Sequence, residues 1–392
     1  MSQTICYVLS AFPVLSETFV TNEIRAMRAR GHTIVPVALA PFDGPCQPED
    51  EVFRGTTVQL ADIPALRALA IRPDRLLSAM RFVRAQTGIP ARSLLFAAAR
   101  VALVIKQRGC THVHAHFAHS ATATAIVAAR LAGVSVSFIA HGYDVYGDPC
   151  DLPAKLAAAD VVFATCNDMA MHFRDLAPTV NVHVTPCGID PDRFVPVELP
   201  CNGRFLAIGR LAEQKGYPVL LQALALLPAG SRPVIDVVGS GPLEAEIKAE
   251  AKRLGVASSV NLLGPKPSDW IAAEGPAYLG LVAPFVICKN GDRDTGPVVV
   301  KEAMAMGLPV IASALMGLKE MVTAQTGRLV QPCDPLPLAA ALAWMTALPD
   351  ADRRALGRVG RERVLALFTL AMQAKGMSEA IALVQGARAC AA

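Results

Sequence analysis

The sequence lacks paired cysteines. Its ten cysteines form no CxxC pair and are scattered from Cys6 to Cys390, often inside apolar runs. This pattern excludes a zinc-ribbon framework and the dense disulfides of small secreted domains. We therefore expect a protein of a reducing compartment, the cytoplasm.

Charge is scarce, and long apolar runs are missing. Apolar residues make up 53% of the chain and charged residues 18%, which excludes a disordered protein. A net charge of +4 is too small to predict binding to nucleic acid. The most apolar stretches, Leu94 to Ile105 and Pro276 to Cys288, are too short to span a bilayer.

With 392 residues, the chain is long enough for two domains, each with its own core.

The first βαβ pattern lacks the glycine fingerprint of dinucleotide-binding proteins. Apolar runs predict strands over Ile5 to Ser10 and Thr33 to Ala40, with a helix over Phe19 to Arg30 between them. The connecting loop places Ser16 at the carboxyl edge of the first strand. Its hydroxyl either caps the helix or faces a ligand.

Acidic residues are nearly missing from residues 64–108, where Asp74 stands alone against nine basic residues. These are Arg67, Arg72, Arg75, Arg81, Arg84, Arg92, Arg100, Lys106 and Arg108. Apolar residues alternate with the arginines at helical spacing, which is typical of a core face with a solvated face. The same pattern suits an anionic membrane surface, where each basic residue adds about 1 kcal/mol. The excess of basic residues favours contact with a membrane.

Three histidines, His112, His114 and His116, alternate along one strand and so share a face. No cysteine or carboxylate nearby in the sequence completes a zinc set, and no metal site is predicted. The next strand, Val134 to Ala140, ends at His141-Gly142. The His141 imidazole would lie at the carboxyl edge of the sheet, where Gly142 lets the backbone approach closely, and this is a suitable position for contact with a ligand. The alternative is that His141 is a structural histidine.

The second half repeats the strand–loop–helix pattern after a proline-rich linker, Pro191 to Asn202. Loops follow predicted strands at Gly209 to Gly216, at Gly239 to Pro242 and at Gly264. Carboxyl ends of parallel strands meet at one edge of a sheet, so these loops should lie together. Arg210 and Lys215 on the first loop have the chemistry of a diphosphate clamp.

The stretch from Pro284 to Ala312 adds two acids to this edge. A polar loop carrying Asp294 and Gly296 leads into a helix with Pro297 in its first turn. Glu302 lies about one and a half turns inside the helix. The helix N-terminus favours phosphates, and carboxylates accept hydrogen bonds from hydroxyls. A nucleoside-diphosphate sugar combines phosphates with hydroxyl groups and would suit this edge. The alternative is that both acids are surface residues exposed to solvent.

These motifs resemble the retaining glycosyltransferases of family 4. In the second half the resemblance rests on Pro186 to Asp190, Gly209 to Gly216, Gly239 to Pro242, and Glu302 to Val310. The first half is similar to bacterial exopolysaccharide (colanic-acid-type) members through Phe12 to Phe19, His114 to Phe117, and Ala140 to Asp144. The resemblance implies an α/β protein of the GT-B architecture, with two Rossmann-like doubly wound parallel-sheet domains facing across a cleft.

The resemblance also implies roles for single residues. Arg210 and Lys215 would hold the donor diphosphate, and Glu302 the ribose hydroxyls. Asp294 takes the first position of the family's E-x7-E pattern, which contacts the donor sugar, with Asp replacing the usual Glu. His141 matches the histidine near the reacting sugar, so the implied catalytic residues are His141, Arg210, Lys215 and Asp294. The implied donor-binding residues are Ser16, Gly209, Arg210, Lys215, Gly239, Gly241, Gly264, Asp294, Gly296, Pro297 and Glu302.

The expected organisation is an acceptor-side domain over residues 1–195, a donor-binding domain over 196–366 and a terminal helix over 367–392 that packs on the first domain. The expected reaction transfers a hexose-type unit from a UDP- or GDP-sugar, with retention and without a metal or cofactor. The acceptor is a saccharide, a lipid-linked saccharide or a lipid at the cytoplasmic membrane face. Alternatives are a nucleotide-sugar epimerase, a sugar phosphorylase or a non-catalytic sugar-nucleotide-binding protein at a membrane surface.

Overall fold

A computed structural model describes residues 2–64 and 73–391, which divide into two compact units. The N-terminal unit comprises Met1–Cys187 and Leu370–Ala392, and the C-terminal unit comprises Gly188–Thr369. Residues 191–202, all described, contain no helix or strand and belong to the C-terminal unit. Arg67 and Arg72 of the basic segment lie outside the described residues, as does the side chain of Asp74.

The N-terminal unit is built on a parallel sheet. Its strands within the described residues are β1 (Thr4–Leu9), β2 (Thr33–Ala38), β3 (Val58–Gln59), β4 (His112–His116), β5 (Ser135–Ile139), β6 (Val161–Ala164) and β7 (Val182–Val184). They lie in the order β3-β2-β1-β4-β5-β6-β7, and all pairs are parallel. The order therefore reverses direction between β1 and β4, where open α/β sheets bind ligands.

Helices cover both faces of this sheet, and its central strands β4, β5 and β6 are accordingly buried at every residue. They are α1 (Thr18–Ala29), α2 (Pro73–Arg84), α3 (Ala91–Arg108), α4 (Ser120–Ala132), α5 (Leu152–Ala158), α6 (Asn167–Leu176) and, from the end of the chain, α14 (Leu370–Ala391). One core joins α1 and α14 to β1 and β6 through Ile5, Ile24, Val161, Met377 and Ile381. The sheet face below α1 and α14 is also the face that carries the three histidines of β4.

The C-terminal unit repeats the plan with a second parallel sheet. Its strands are β8 (Arg204–Ile208), β9 (Val234–Val238), β10 (Val260–Gly264), β11 (Gly280–Ala283), β12 (Val310–Ser313) and β13 (Gly327–Val330). Their order is β10-β9-β8-β11-β12-β13, all parallel. The reversal point lies between β8 and β11, so the loops after these two strands are neighbours at the carboxyl edge.

The helices of this unit are α7 (Tyr217–Leu226), α8 (Glu244–Arg253), α9 (Ser268–Glu274), α10 (Val298–Ala305), α11 (Leu318–Met321), α12 (Pro335–Ala347) and α13 (Asp350–Leu367). Leu220 and Leu224 of α7 and Leu342 of α12 pack in one core with Ile235 and Val237 of β9. No helix among the described residues combines the length and apolar character needed to cross a bilayer.

Two predictions of helix starts were off by one residue. Pro297 does not occupy the first turn of α10 but precedes it as the N-cap residue, and α10 begins at Val298. The sequence also predicts that Asn167 or Asp168 caps a helix, but Cys166 holds the cap position and α6 begins at Asn167. In both cases the residue at the cap makes no side-chain hydrogen bond to the helix, so local capping chemistry did not mark the boundary.

Candidate functional site

The predicted donor loops of the C-terminal unit meet at the carboxyl edge of its sheet. Residues 209–216 follow β8, residues 239–243 follow β9, Gly264 ends β10, and residues 284–297 follow β11. The first and last of these loops flank the point where the strand order reverses. The site is thus assembled by the topology of the sheet from segments far apart in the sequence.

An ion pair joins the two loops at this point. The Nζ atom of Lys215 lies 2.8 Å from Oδ2 of Asp294, at angles outside those of a hydrogen bond, and both side chains are largely buried. The same Nζ lies 4.2 Å from the centre of the Phe285 ring, close enough for a cation–π interaction. The carboxylate and the aromatic ring together fix the position of the ammonium group.

Backbone contacts hold the loops tightly together. Gly216 has φ +67°, and a Cβ at this residue would lie 1.8 Å from the carbonyl oxygen of Pro284. Gly239 has φ +144°, and its Cβ would lie 2.0 Å from the carbonyl oxygen of Gly209. Such contacts exclude any side chain, so both glycines are required for the loops to approach this closely.

Tyr217 is a member of this site that the sequence did not single out. Its hydroxyl donates a hydrogen bond of 3.1 Å to the carbonyl oxygen of Gly209. Burial raises the pKa of Tyr217 well above its usual range, and the charge of Asp294 adds to the effect. Tyr217 follows Gly216 directly, yet nothing in the local pattern shows that its ring turns back towards the loop.

Arg210, Gly241 and Gly264 lie on the same edge. Arg210 is exposed, and within the described residues its guanidinium has no ion-pair partner. Gly241 packs against the backbone of Leu211. Gly264 accepts a 3.0 Å hydrogen bond from the backbone N–H of Gly239 and has open space where a Cβ would lie.

The last predicted donor residues are carried by α10 and its entrance. Gly296 accepts a 3.4 Å hydrogen bond from the buried Nζ of Lys301, and Pro297 caps the helix. Glu302 is half-buried on α10. Burial raises the pKa of Glu302 to about 7, although the positive charges of Arg193 and Lys301 lower it. The structure gives no direct contact between Glu302 and the Lys215–Asp294 pair among the described residues.

In the N-terminal unit, Ser16 is exposed in the loop after β1. Of the two roles that the sequence left open, capping is not the one observed, because Glu17 is the N-cap residue and no side chain caps α1. Ser16 therefore lies at the carboxyl edge of the sheet with its hydroxyl outside the helix.

His141 follows β5 on the same edge and is fixed by its neighbours. The backbone N–H groups of His141 and Gly142 donate to Oδ1 of Asp144, at 3.0 and 2.9 Å. Oδ2 of this buried carboxylate accepts from Ala118 N–H at 2.6 Å. The His141 ring packs on Phe19, with ring centres 4.3 Å apart. Burial lowers the pKa of His141 well below its usual range, so the ring is neutral.

Behind His141 lies a buried carboxylate that sequence reasoning missed. Oε1 of Glu23, on α1, lies 3.2 Å from Nε2 of His116 and 3.3 Å from Nε2 of His114. The hydroxyl of Tyr7 donates to Oε1 at 3.0 Å, and Nε2 of Gln373 donates to Oε2 at 2.8 Å. Burial opposes the charge of Glu23, but the two histidines outweigh it and lower its pKa well below its usual range.

The three histidines of β4 share one face, as their alternation predicts. His112 and His114 both contact the Ser137 hydroxyl, at 2.7 and 2.8 Å, while His114 and His116 both approach Glu23. The expectation that no carboxylate reaches these histidines was wrong, because α1 supplies one from 91 to 93 positions away in the chain. Glu23, His114 and His116 bring their ligand atoms within 4.8 Å of one another and so form a set that could hold a cation.

Some arginines of the basic segment have structural roles. Arg75 donates to the carbonyl oxygens of Leu131 and Ala132 at the end of α4, at 3.4 and 2.6 Å. Three large apolar side chains are nevertheless exposed beside the basic residues, Leu76 by 37%, Leu77 by 75% and Phe96 by 53%. The described part of the segment therefore combines exposed apolar and basic groups.

Comparison with known proteins relates both halves of the chain to sugar transfer. The family described as Glycosyltransferase Family 4 matches residues 16–193, and the family described as Glycosyl transferases group 1 matches residues 202–347. A glycosyltransferase named for colanic acid biosynthesis in Salmonella typhimurium is 26% identical over 388 residues, covering 92% of this chain and 95% of that protein. An amylovoran biosynthesis glycosyltransferase of Erwinia amylovora is 29% identical over 179 residues, or 45% of this chain and 44% of that protein.

Solved structures show the same fold. A glycosyltransferase from Rickettsia africae superposes with a TM-score of 0.75 at 17% identity, covering 98% of both chains. Anabaena HepE in complex with UDP gives 0.74 at 16% identity, covering 97% of this chain and 99% of that one. The two Rossmann-like domains are those of the GT-B class, as predicted. With a family 4 domain followed by a group 1 domain, the chain belongs to the glycosyltransferases of family 4 and group 1.

Proposed function

We propose that this glycosyltransferase moves a hexose-type unit from a nucleoside-diphosphate sugar to a saccharide or lipid-linked saccharide, with retention at the anomeric carbon. The observation that carries the proposal is the Lys215–Asp294 pair at the reversal point of the C-terminal sheet, beside the exposed Arg210. A diphosphate binds where positive groups and free backbone N–H groups meet at the carboxyl ends of strands.

Breaking the glycosidic bond places negative charge on the departing diphosphate. Lys215 and Arg210 would stabilise this charge, and Lys215 is already oriented by Asp294 and Phe285. Groups that are held in place before the reaction lower its barrier most effectively. Asp294 would in turn accept hydrogen bonds from the donor sugar. We propose that these groups perform the electrostatic work without a metal ion.

We propose a role for each of the other predicted residues. Glu302 would accept hydrogen bonds from the ribose hydroxyls, and the open backbone at Gly264 would face the base. Gly209, Gly239 and Gly241 form the tightly packed backbone, and Gly296 and Pro297 lead into the N-terminus of α10. Ser16 and His141 would contribute from the carboxyl edge of the N-terminal sheet.

The acceptor is proposed from the relatives. The names of two of them refer to colanic acid and amylovoran biosynthesis, and one structural neighbour is a lipopolysaccharide outer core galactosyltransferase. We propose that this chain acts in the synthesis of an exopolysaccharide or lipopolysaccharide. Because the structure of Anabaena HepE was solved with UDP-glucose, we propose that UDP-sugars be tested as donors before GDP-sugars.

The test is a transfer assay that follows sugar release from a panel of UDP- and GDP-sugars, with the product's anomeric configuration read by NMR. We expect Lys215→Ala and Arg210→Ala to lower kcat by at least tenfold, while Lys252→Ala, an exposed lysine on α8, retains wild-type turnover. Full turnover in either loop variant, or inversion at the anomeric carbon, would contradict the proposal. Activity lost on treatment with EDTA would contradict the metal-free mechanism.

We also propose that the basic segment touches the anionic inner face of the cytoplasmic membrane. The exposed side chains of Leu77 and Phe96 support this, since apolar groups beside basic ones bind such surfaces. Flotation with anionic liposomes tests it: wild-type protein should float, and Leu77→Glu/Phe96→Glu should not. Equal flotation of both, or flotation of neither, would disprove membrane contact through these helices.

A further inference from the structure

A hydrogen-bonded chain links His141 to the buried carboxylate of Glu23. His116 stands between them, with Nε2 3.2 Å from Oε1 of Glu23 and Nδ1 3.1 Å from Nε2 of His141. The two imidazole rings are nearly coplanar and meet edge to edge, with centres 5.3 Å apart and planes inclined by 7°. Three side chains thus form a Glu23–His116–His141 chain that runs from under α1 to the carboxyl edge of the sheet.

Each link of this chain is held from outside. Tyr7 and Gln373 direct their donors at the two oxygens of Glu23, so that this carboxylate cannot turn. Phe117 and Phe19 flank the His141 ring, with centres 4.7 and 4.3 Å away. Glu23 and His116 are both 1% exposed, which excludes competing bonds to water. Buried polar groups that are fully satisfied favour a single geometry.

The chain also fixes which ring nitrogens carry protons. A carboxylate that already receives donors from Tyr7 and Gln373 can only accept, so Nε2 of His116 must carry a proton. With this single proton on the His116 ring, its other nitrogen, Nδ1, is an acceptor, and Nε2 of His141 must supply the proton between them. Neutral His141 is left with no proton on Nδ1.

We propose that Glu23 and His116 are positioning residues, which orient His141 and set its tautomer so that Nδ1 accepts a hydrogen bond from a hydroxyl of the carbohydrate substrate. This rests on the proposed function, in which His141 stands near the reacting sugar. A ring in the other tautomer would present an N–H, which can only donate to that hydroxyl oxygen, so the hydroxyl proton would have no acceptor on His141. Removing the partners that orient a histidine at metal sites typically lowers activity by about 10- to 100-fold, and we expect a similar range here.

The decisive measurement is the nitrogen NMR spectrum of the protein labelled with ¹⁵N-histidine, with His141 assigned from a His141→Gln variant. We expect an unprotonated Nδ1 and a protonated Nε2 for His141 in the wild type. His116→Phe keeps an aromatic ring at this position but removes both hydrogen bonds, so His141 should show mixed tautomers. If the unpaired Glu23 prevents this variant from folding, Glu23→Gln/His116→Phe removes the buried charge as well.

Kinetics separate positioning from general stability. His116→Phe should lower kcat/KM for transfer by 10- to 100-fold, while the stabilisation of the protein by UDP or GDP, which binds in the C-terminal unit, stays the same. His112→Phe is the matched control, because it changes a buried histidine of the same strand whose ring nitrogens contact Ser135 and Ser137 instead of Glu23, and kcat/KM should change less than threefold.

Three results would overturn the inference. They are a protonated Nδ1 on wild-type His141, an unchanged tautomer together with unchanged kcat/KM in His116→Phe, and one equivalent of metal per purified chain. The last result, read by elemental analysis, would instead assign Glu23, His114 and His116 as metal ligands. The tautomer is read on the protein alone, so a wild type that transfers no sugar would disprove the proposed function without obscuring this answer.

Discussion

At the scale of single residues, we propose two purposes for the Asp294 carboxylate, to hold Lys215 in place and to contact the donor sugar. A pair that is 14% and 26% exposed is only partly screened by water, so it holds the lysine in one place. The same carboxylate stands where the family's pattern contacts the donor sugar. The aspartate side chain is one methylene group shorter than the usual glutamate, and its carboxylate still contacts Lys215.

Changing Asp294 tests both purposes. Asp294→Asn keeps the shape but removes the charge that orients Lys215, and we expect kcat/KM to fall at least tenfold, or about 1.4 kcal/mol. Asp294→Glu keeps the charge and should lose less. The comparison is made by steady-state kinetics with the preferred donor, and an Asn variant as active as the wild type would exclude both purposes.

Gly216 offers a test of the close contact between the two loops. Gly216→Ala adds a Cβ that would lie 1.8 Å from Pro284 O, so the backbone must move. Gly255→Ala is the matched control, since it has nearly the same φ, +65° against +67°, but no atom within 4 Å of the added Cβ. Gly255→Ala should lower the free energy of unfolding by about 1–2 kcal/mol, because alanine is strained in the left-handed backbone conformation. Gly216→Ala should lower it clearly more, because its added Cβ also meets Pro284. Equal shifts in the urea midpoints would show that the loops adjust freely.

At the scale of elements, α10 places a carboxyl group inside the fold. Glu302 has a pKa of about 7 in the folded protein and about 4.5 in the unfolded chain. Between these values the folded state holds the proton and the unfolded state releases it. The contribution of Glu302 to the free energy of unfolding is therefore largest below about pH 4.5 and falls as the pH rises to 7.

Glu302→Gln removes this dependence. Between pH 5 and 8 the variant should lose less stability than the wild type, by on the order of 1 kcal/mol after allowing for partial exposure. Glu246→Gln, an exposed acid on α8, is the control and should follow the wild-type profile. Melting temperatures recorded across this pH range decide the matter, and parallel profiles for all three proteins would contradict the raised pKa.

The sequence predicted the positions of helices and strands better than it predicted contacts between side chains. The apolar runs Val182 to Val184 and Val234 to Val238 predict strands that agree with β7 and β9, because short β-branched runs between turn residues leave little choice. The apolar run Tyr278 to Ala283 also predicts a strand, but β11 begins only at Gly280, because the backbone of Tyr278 closes a turn on Gly275 and its hydroxyl donates to Asp236. Tertiary contacts of this kind have no local signature.

At the scale of the whole molecule, the repeated strand–loop–helix pattern was sufficient to predict two Rossmann-like sheets. It also placed the Arg210, Lys215 and Asp294 loops at one edge, since parallel strands leave their loops no other place. The contact of Glu23 with His114 and His116 could not be predicted in this way. Helical periodicity marks Glu23 only as one polar residue of α1, and its burial depends on how α1 lies over the sheet.

The terminal helix α14 provides the test at this scale, because residues from the end of the chain complete the core of the N-terminal unit. Met377 is fully buried there, with 0% exposure, while Leu383 on the same helix is 69% exposed. Met377→Ala should lower the free energy of unfolding by about 2–5 kcal/mol, and Leu383→Ala by less than about 0.5 kcal/mol. Similar denaturation midpoints for the two variants would show that α14 does not stabilise this unit.

Helix α14 comes from the end of the chain but packs in the N-terminal unit, and this arrangement predicts how the protein behaves when its chain is cut. The segments that leave and rejoin the N-terminal unit are themselves bonded, through Ile189 N–H and the carbonyl oxygen of Phe368 at 2.9 Å. A protease that cut the coil at residues 191–202 would produce two fragments, and the C-terminal fragment would still carry the helix that packs on α1 of the N-terminal fragment. The nicked protein should therefore travel as one particle on a sizing column and separate only in denaturant.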